Sequence, residues 1–170
     1  MSFQELAAER YSVRSFSNRP IEPEKIEKVL EAGRIAPTAH NYQPQRIKII
    51  TTAEDLAKVD ECTPCRYGAP TVFLICFDKT VSWKREFDGE CSGVVDSSIV
   101  TTHLMFAAQD LGLGSCWVMH FDPVKAIQLF ALPDNIVPVA FLPVGYPAEG
   151  SVPSKGHGNR MPLQDYLLRP

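Results

Sequence analysis

The sequence lacks a long apolar segment and a strong charge of either sign. Its longest proline-free apolar run, residues 72–77, has six residues, whereas a helix that spans a bilayer needs ~20. Seventeen Lys and Arg stand against 20 Asp and Glu, which leaves a net charge of −3. These absences argue against a membrane protein and against a protein whose overall charge attracts nucleic acid or anionic lipid.

Features of a secreted protein are also scarce. The amino-terminal sequence MSFQELAAER has acidic residues and no apolar core of the length that a secretory signal needs. The five cysteines are odd in number and scattered, which fits reduced thiols better than a disulfide framework. We therefore expect a cytoplasmic protein.

The composition itself is that of a folded domain. Hydrophobic residues make up 45% of the chain and charged residues 22%, unlike the composition of disordered or fibrous proteins. A chain of 170 residues can bury roughly 70% of its unfolded surface, and no repeat or low-complexity segment divides it. We expect one domain over residues 1–170.

Hydrophobic periodicity and turn residues predict five helices and four strands. The helices cover residues 3–10, 22–36, 53–61, 96–111 and 122–130, and the strands cover residues 46–51, 71–77, 115–119 and 137–142. Asp96, Ser97 and Ser98 are candidate caps of the fourth helix, and Gly112 or Gly114 ends it. Its apolar residues form more than one stripe, which indicates burial on several sides, in part by a second subunit. Helices and strands do not alternate strictly, so an α+β fold is favoured.

Residues 10–14 (RYSVR) place Arg10, Ser12 and Arg14 at alternate positions. In an extended segment these three side chains lie on one side, where two guanidiniums and a hydroxyl could hold a phosphate. A solvated basic loop has the same spacing, so the segment alone leaves both interpretations open.

Residues 37–44 (PTAHNYQP) concentrate amide and hydroxyl side chains between two prolines. Prolines stiffen a loop, and side-chain amides both donate and accept hydrogen bonds, which suits recognition of a planar heterocycle. A polar connector without a ligand is the other interpretation.

Cys62 and Cys65 form a Cys-x-x-Cys pair, which suggests either thiol redox chemistry or a zinc site. The redox motif favours a strand before the pair and a helix after it, and here the order is reversed. A zinc site would need Cys76, Cys91 or His103 to complete the ligands. Loop cysteines without a chemical function are the simplest interpretation, and the other two stay open as alternatives.

Four stretches in the same order carry a resemblance to the nitroreductase family of FMN-dependent oxidoreductases. Residues 10–14 resemble the family's amino-terminal signature, and residues 36–43 its proline-bounded flavin loop. Residues 96–117 resemble its central helix and following strand, and residues 144–149 (VGYPAE) its late turn. The resemblance runs from about residue 8 to residue 163.

The resemblance implies an α+β fold with a central, mainly antiparallel sheet flanked by helices, in an intertwined homodimer with FMN at the interface. It implies that the phosphate is bound by Arg10, Ser12 and Arg160, with Tyr11 contributing its backbone, and that Arg14 approaches the pyrimidine edge. The partner subunit would contribute Pro37, Thr38, Ala39, His40, Asn41 and Gln43. Trp117, Val118, Met119 and His120 would run along the dimethylbenzene and N5 side, with an amide near Met119 facing N5.

The implied reaction needs no obligatory side-chain acid, base or nucleophile and no metal, because the flavin carries the hydride chemistry. NADH or NADPH would reduce the flavin, and a nitroaromatic, quinone or similar small acceptor would reoxidise it by a ping-pong mechanism. Arg14 and His120 are the candidate catalytic residues: Arg14 because a guanidinium stabilises the reduced flavin, His120 because an imidazole can supply a proton. A flavin-binding relative without reductase turnover is the alternative.

Two of the chain's departures from the family's usual pattern bear on binding. Gly158 stands where a basic residue is common, so Lys155 is a candidate to assist Arg160. The segment between the second strand and the fourth helix is compact, and it contains Trp83, Lys84, Arg85 and Phe87. In relatives this region varies and covers the flavin, so we expect substrate contacts there.

Overall fold

The computed structural model describes residues 2–168. Six helices, a short 3-10 turn and four strands form in the order α1 (Phe3–Glu9), α2 (Pro23–Arg34), the 3-10 turn (Ala39–Asn41), β1 (Gln45–Ile50), α3 (Ala53–Cys62), β2 (Thr71–Asp78), α4 (Gly93–Asp110), β3 (Gly114–Ser115), α5 (Pro123–Leu129), β4 (Ile136–Gly145) and α6 (Leu163–Tyr166). The five predicted helices and four predicted strands are all present. The 3-10 turn and α6 were not predicted.

The four strands form one sheet in the order β1-β2-β4-β3, and every neighbouring pair is antiparallel. Gln45 pairs with Phe77 at one end of β2, and Thr71 pairs with Val144 at the other. The expected antiparallel sheet flanked by helices is thus confirmed.

Both faces of the sheet are covered, and β2 shows why. All eight of its residues are buried. Phe73 and Ile75 face a cluster that includes residues of α2 and α4, whereas Val72 and Leu74 face one that includes residues of α3 and α5. Successive side chains of a strand point to opposite faces, so a strand covered on both sides is continuously apolar. The apolar run at 72–77 is therefore the middle of the sheet.

Helix α4 begins three residues before the predicted start. Its N-cap is Ser92, so Asp96, Ser97 and Ser98 lie inside the helix and the prediction that they cap it is wrong. A Cβ atom at Gly93 would lie 2.2 Å from a ring carbon of Phe77, so this turn approaches the sheet too closely for a larger residue. Gly112, at a φ of 74°, follows the C-terminus of the helix as predicted.

Strand β3 is shorter than the predicted strand over residues 115–119. After Ser115 the chain stays beside β4 through a hydrogen bond from the Cys116 amide to the Pro143 carbonyl and a bridge between Val118 and Phe141. The continuous ladder ends there, and the segment leaves Met119 64% exposed at the protein surface. Among residues 2–168, no helix combines the length and the apolar character needed to cross a membrane.

Candidate functional site

The segment over residues 10–14 is extended and lies against β3. The Val13 amide donates to the Ser115 carbonyl at 3.0 Å, and Ser12 forms a parallel bridge with Ser115. Val13 is 1% exposed, and a Cβ at Gly114 would lie only 2.4 Å from it. Because Val13 points into the core, the alternation directs Ser12 and Arg14 away from it.

The carboxyl-terminal segment returns to the same end of the molecule. The Tyr11 hydroxyl donates to the Ser151 carbonyl at 3.1 Å, and His157 Nε2 lies 3.1 Å from the Ala8 carbonyl oxygen. Arg160 hydrogen-bonds to the carbonyls of His157 and Asn159 through Nη1. These contacts bring Arg160 to the C-terminal end of α1, where Arg10 lies. Sequence reasoning missed His157, because a histidine in an irregular segment carries no periodic signal.

Arg10, Arg14 and Arg160 therefore all lie at this end of the molecule. In the part of the chain that the structure describes, none of them forms an ion pair with a carboxylate within 4.0 Å. Guanidiniums with unused donors attract an anion, and Ser12 adds a hydroxyl beside them. We call Arg10, Ser12, Arg14 and Arg160 the arginine group.

Residues 117–120 continue from β3 as a partly exposed strip. Trp117 is half-buried, Val118 is buried, and Met119 and His120 are exposed. The Thr63 hydroxyl donates to the His120 carbonyl at 2.6 Å and thereby anchors the strip to the C-terminal end of α3. Over residues 2–168, the Met119 amide has no protein acceptor, so it is available to a ligand.

The 37–43 loop has an unusual backbone. His40, Asn41 and Gln43 have φ values of 51°, 56° and 50°, in the left-handed region that residues other than glycine seldom adopt. Such conformations persist only where the surroundings fix them, and they cluster at binding sites. The Thr38 hydroxyl accepts from the Gln43 amide at 3.1 Å and closes the loop on itself.

A buried carboxylate anchors this loop to α4. Asp96 is 1% exposed, and its Oδ1 atom accepts from the Ala39 amide at 2.8 Å, while Oδ2 accepts from the Ser92 hydroxyl at 2.7 Å. On the solvent side, the His40 ring stacks on Trp83 with 5.4 Å between centroids. The sequence places Asp96 only as a helix cap, since the loop contact joins residues 57 positions apart.

The loop and the arginine group lie at opposite ends of the fold. Asp96 holds the loop in the first turn of α4, and Ser115, which binds the 10–14 segment, follows the end of that helix. A helix of 18 residues is ~27 Å long. Along β2, the six steps between Thr71 and Phe77 give a separation of ~20 Å.

The Cys62 and Cys65 side chains are both free thiols. Burial raises the pKa of the Cys62 thiol, whereas redox-active cysteines need a lowered one. Among the described residues, no group of three His, Cys, Asp or Glu side chains is placed to hold a metal ion. The Cys62 carbonyl instead accepts from the Asp122 amide at 3.0 Å, so this turn supports the end of the 117–120 strip.

The chain is similar in sequence and fold to known proteins. The family model described as "Nitroreductase family" matches residues 7–66 and 66–146. A crystal structure of a nitroreductase family protein from Clostridium difficile 630 superposes with a TM-score of 0.93 and 42% identity, covering 99% of this chain and 98% of that one.

Two further known proteins are similar in sequence. A Methanothermobacter thermautotrophicus protein, provisionally named NADH dehydrogenase/NAD(P)H nitroreductase, is 32% identical over 158 residues, which are 88% of this chain and 79% of that protein. A Bacillus subtilis protein named FMN reductase [NAD(P)H] is 27% identical over 158 residues, 82% of this chain and 64% of that protein.

Proposed function

The chain belongs to the nitroreductase family. We propose that it is an FMN-dependent oxidoreductase. It takes hydride from NADH or NADPH onto FMN and passes electrons to an electron-poor acceptor such as a nitroaromatic or a quinone. Residues 1–170 act as one FMN-binding domain in the cytoplasm. The names of the M. thermautotrophicus and B. subtilis relatives, which include NAD(P)H and FMN, support this assignment.

The observation that carries the proposal is the set of polar groups with spare hydrogen-bonding capacity around the arginine group. Among residues 2–168, Arg10, Arg14 and Arg160 have no carboxylate within 4.0 Å, and the Ser12 hydroxyl and the free Met119 amide lie on the adjoining segments at 10–14 and 117–120. An anion and a planar ring with hydrogen-bonding edges would use all of them, which is the chemistry of FMN. The residues present therefore fit the cofactor.

The proposed roles follow from these positions. Arg10, Ser12 and Arg160 bind the phosphate, and Lys155 on the same carboxyl-terminal segment assists. Arg14 lies at the pyrimidine edge, where its positive charge stabilises the negative charge of the reduced ring near N1 and O2. Bound FMN supplies the hydride acceptor, and the protein contributes position and electrostatics.

The 117–120 strip defines the reacting side. The Met119 amide donates to the flavin edge near N5, and the exposed His120 imidazole is placed to give a proton to an acceptor on the same side. One open flavin face serves donor and acceptor in turn, so the proposal includes a ping-pong mechanism.

The proposal also includes a homodimer. The 37–43 loop lies ~20 Å or more from the arginine group of its own chain along β2, so a second copy that packs against α4 in the opposite direction would bring its loop to this site. Such a copy would cover exposed apolar residues on α4 and the two helices that pack on it. These residues are Val94 and Val95 on α4, Ile35 at the C-terminal end of α2 and Phe3 at the start of α1. Pro37, Thr38, Ala39, His40, Asn41 and Gln43 then reach the flavin of the partner.

The direct test is the colour of the purified protein and its response to nicotinamides. The proposal predicts a yellow protein. In the absence of oxygen, NADH or NADPH should bleach the yellow colour, and an added acceptor should restore it. A colourless protein that does not bind added FMN would contradict the proposal. A yellow protein that neither nicotinamide bleaches would instead indicate a flavin-binding protein without reductase turnover.

A further inference from the structure

A cleft of about 860 Å³ opens beside the 37–43 loop. Tyr42 and Trp83 contribute aromatic walls, Lys79 and Lys84 contribute ammonium groups, and Phe77 and Val137 lie in the floor. We call it the Trp83 cleft. It is formed by the end of β2 and the turn that follows, so it is a separate cavity from the arginine group.

The cleft shares a wall with the loop. The His40 ring stacks on Trp83 at an interplanar angle of 27° and lies 5.7 Å from the Tyr42 ring. His40 is part of the strained loop that Asp96 holds against α4. A ligand in the cleft would therefore lie next to the residues that we assign to the partner's flavin.

The charges of the cleft favour an anion. Neither Lys79 nor Lys84 has a carboxylate within 4.0 Å among residues 2–168. Glu86 is the one acidic residue in the lining, and the neighbouring Asp78 carboxylate is already engaged, since it accepts from Thr80 and lies 3.8 Å from Arg46. Two ammonium groups against one carboxylate leave a positive cleft.

The combination of aromatic walls and lysines defines a ligand class. Tyr42 and Trp83 can stack on a planar base, and ammonium groups bind phosphate oxygens by charge-assisted hydrogen bonds. Nothing in the proposed flavin chemistry uses these side chains. We propose that the Trp83 cleft binds an adenosine phosphate and, resting on the proposed function, that this is the adenosine end of the nicotinamide donor.

This assignment has a consequence for donor choice. NADPH carries one more phosphate than NADH, at the adenosine ribose. Two lysines without partners stabilise that additional charge, so NADPH is the preferred donor.

Calorimetric titration with adenosine 2′,5′-bisphosphate tests the cleft without any turnover. The protein is first saturated with FMN, so that the probe cannot occupy the arginine group. The expected result is binding to the unaltered protein that the double variant Lys79→Gln, Lys84→Gln weakens about tenfold, as loss of two charge-assisted contacts predicts. Lys28→Gln, an exposed lysine on α2, is the matched control and leaves binding unchanged. Absence of binding to the unaltered protein, or equal binding to the double variant, would overturn the inference.

Steady-state kinetics then tests the link to the donor. The double variant should raise the KM for NADPH about tenfold and leave the KM for reduced nicotinamide mononucleotide, which has no adenosine, unchanged. Equal changes for both donors would overturn the assignment to the adenosine end. Weakened bisphosphate binding with an unchanged KM for NADPH would also overturn it, and would assign the cleft to a free adenosine nucleotide. If no nicotinamide is oxidised, the proposed function fails, while the titration still decides what the cleft binds.

Discussion

Asp96 Oδ1 accepts a hydrogen bond from the Ala39 amide at 2.8 Å, and this contact joins α4 to the 37–43 loop. A buried carboxylate is costly unless donors satisfy it. Here the Ala39 amide and the Ser92 hydroxyl serve as donors, and the N-terminal end of the helix favours the negative charge. The residue therefore fixes a loop that has three left-handed residues.

Replacing Asp96 by Leu removes the acceptor and leaves the Ala39 amide unsatisfied, at a cost of ~1–3 kcal/mol. We expect FMN affinity to fall about tenfold, which corresponds to ~1.4 kcal/mol. Asp96→Asn keeps an acceptor oxygen and should recover most of the affinity. Flavin fluorescence titration measures the effect, and equal affinities for the Leu and Asn variants would argue against an anchoring role.

Arg14→Ala should lower the reduction potential of bound FMN, because the positive charge at the pyrimidine edge would be lost. A decrease of ~30 mV corresponds to ~1.4 kcal/mol for a two-electron couple, and we expect at least that. Hydride transfer should slow more than FMN binding weakens. Arg14→Lys keeps the charge and is the control for the potential. An unaltered potential in the Ala variant would remove Arg14 from this role.

Asn41 can be tested with two substitutions that separate backbone from side chain. Asn41→Gly keeps the left-handed conformation at φ 56° without strain and removes only the amide. Asn41→Leu adds strain of roughly 1–2 kcal/mol. We expect weaker FMN binding in both variants and a lower melting temperature mainly for Leu. Unchanged FMN affinity in the Gly variant would place the Asn41 amide outside the site.

Stability in acid should depend on Asp78. Hydrogen bonds from the Thr80 side chain, with others from Asn135 and the Thr80 amide, lower the pKa of Asp78 from 3.8 to about 2. The pKa of Asp78 is lower in the folded protein than in the unfolded chain. Its ionised carboxylate therefore stabilises the fold fully above the unfolded pKa, and this stabilisation is lost as the pH falls through about 2. Asp78→Asn should therefore be less stable than the unaltered protein at pH 7, and the difference should shrink below pH ~4.

Urea unfolding at fixed protein and FMN concentrations measures that difference. Thr80→Val removes the hydrogen bond that contributes most to the lowered pKa of Asp78. This variant should lose less stability than Asp78→Asn, and its loss should have the same pH dependence. A stability difference that stays constant between pH 7 and pH 2 would contradict the assignment.

Much of the fold follows from local pattern. The apolar run at 72–77 and the turn residues around it identify this segment as a strand without knowledge of its neighbours. The alternation of Arg10, Ser12 and Arg14 likewise indicates that these side chains share one side if the segment is extended, and the burial of Val13 between them fits that pattern. These signals lie within a few residues of one another, so the sequence alone carries them.

What the sequence does not predict depends on distant contacts. The local sequence around Asp96 predicts only a helix cap. Its contact with Ala39, 57 residues away, shows that Asp96 instead anchors the 37–43 loop. The first residue of α4, Gly93, has to be a glycine because the Phe77 ring leaves no space for a Cβ atom there. His157 reaches the amino-terminal end through a contact with Ala8. Each of these roles exists only once separate elements have packed.

In the proposed dimer, each flavin site combines the arginine group of one chain with the 37–43 loop of the other. This arrangement can be tested with a mixed dimer, isolated by two different tags, of a chain carrying Arg10→Ala and Arg160→Ala and a chain carrying Asn41→Leu. In a two-fold dimer with shared sites, one site of this mixed species has both changes and the other has neither.

The measurement is the number of FMN molecules that the mixed dimer binds with the affinity of the unaltered protein. Shared sites predict one such FMN per mixed dimer and none in either parent dimer. No recovery in the mixed dimer, or full FMN binding by a monomer, would contradict this arrangement.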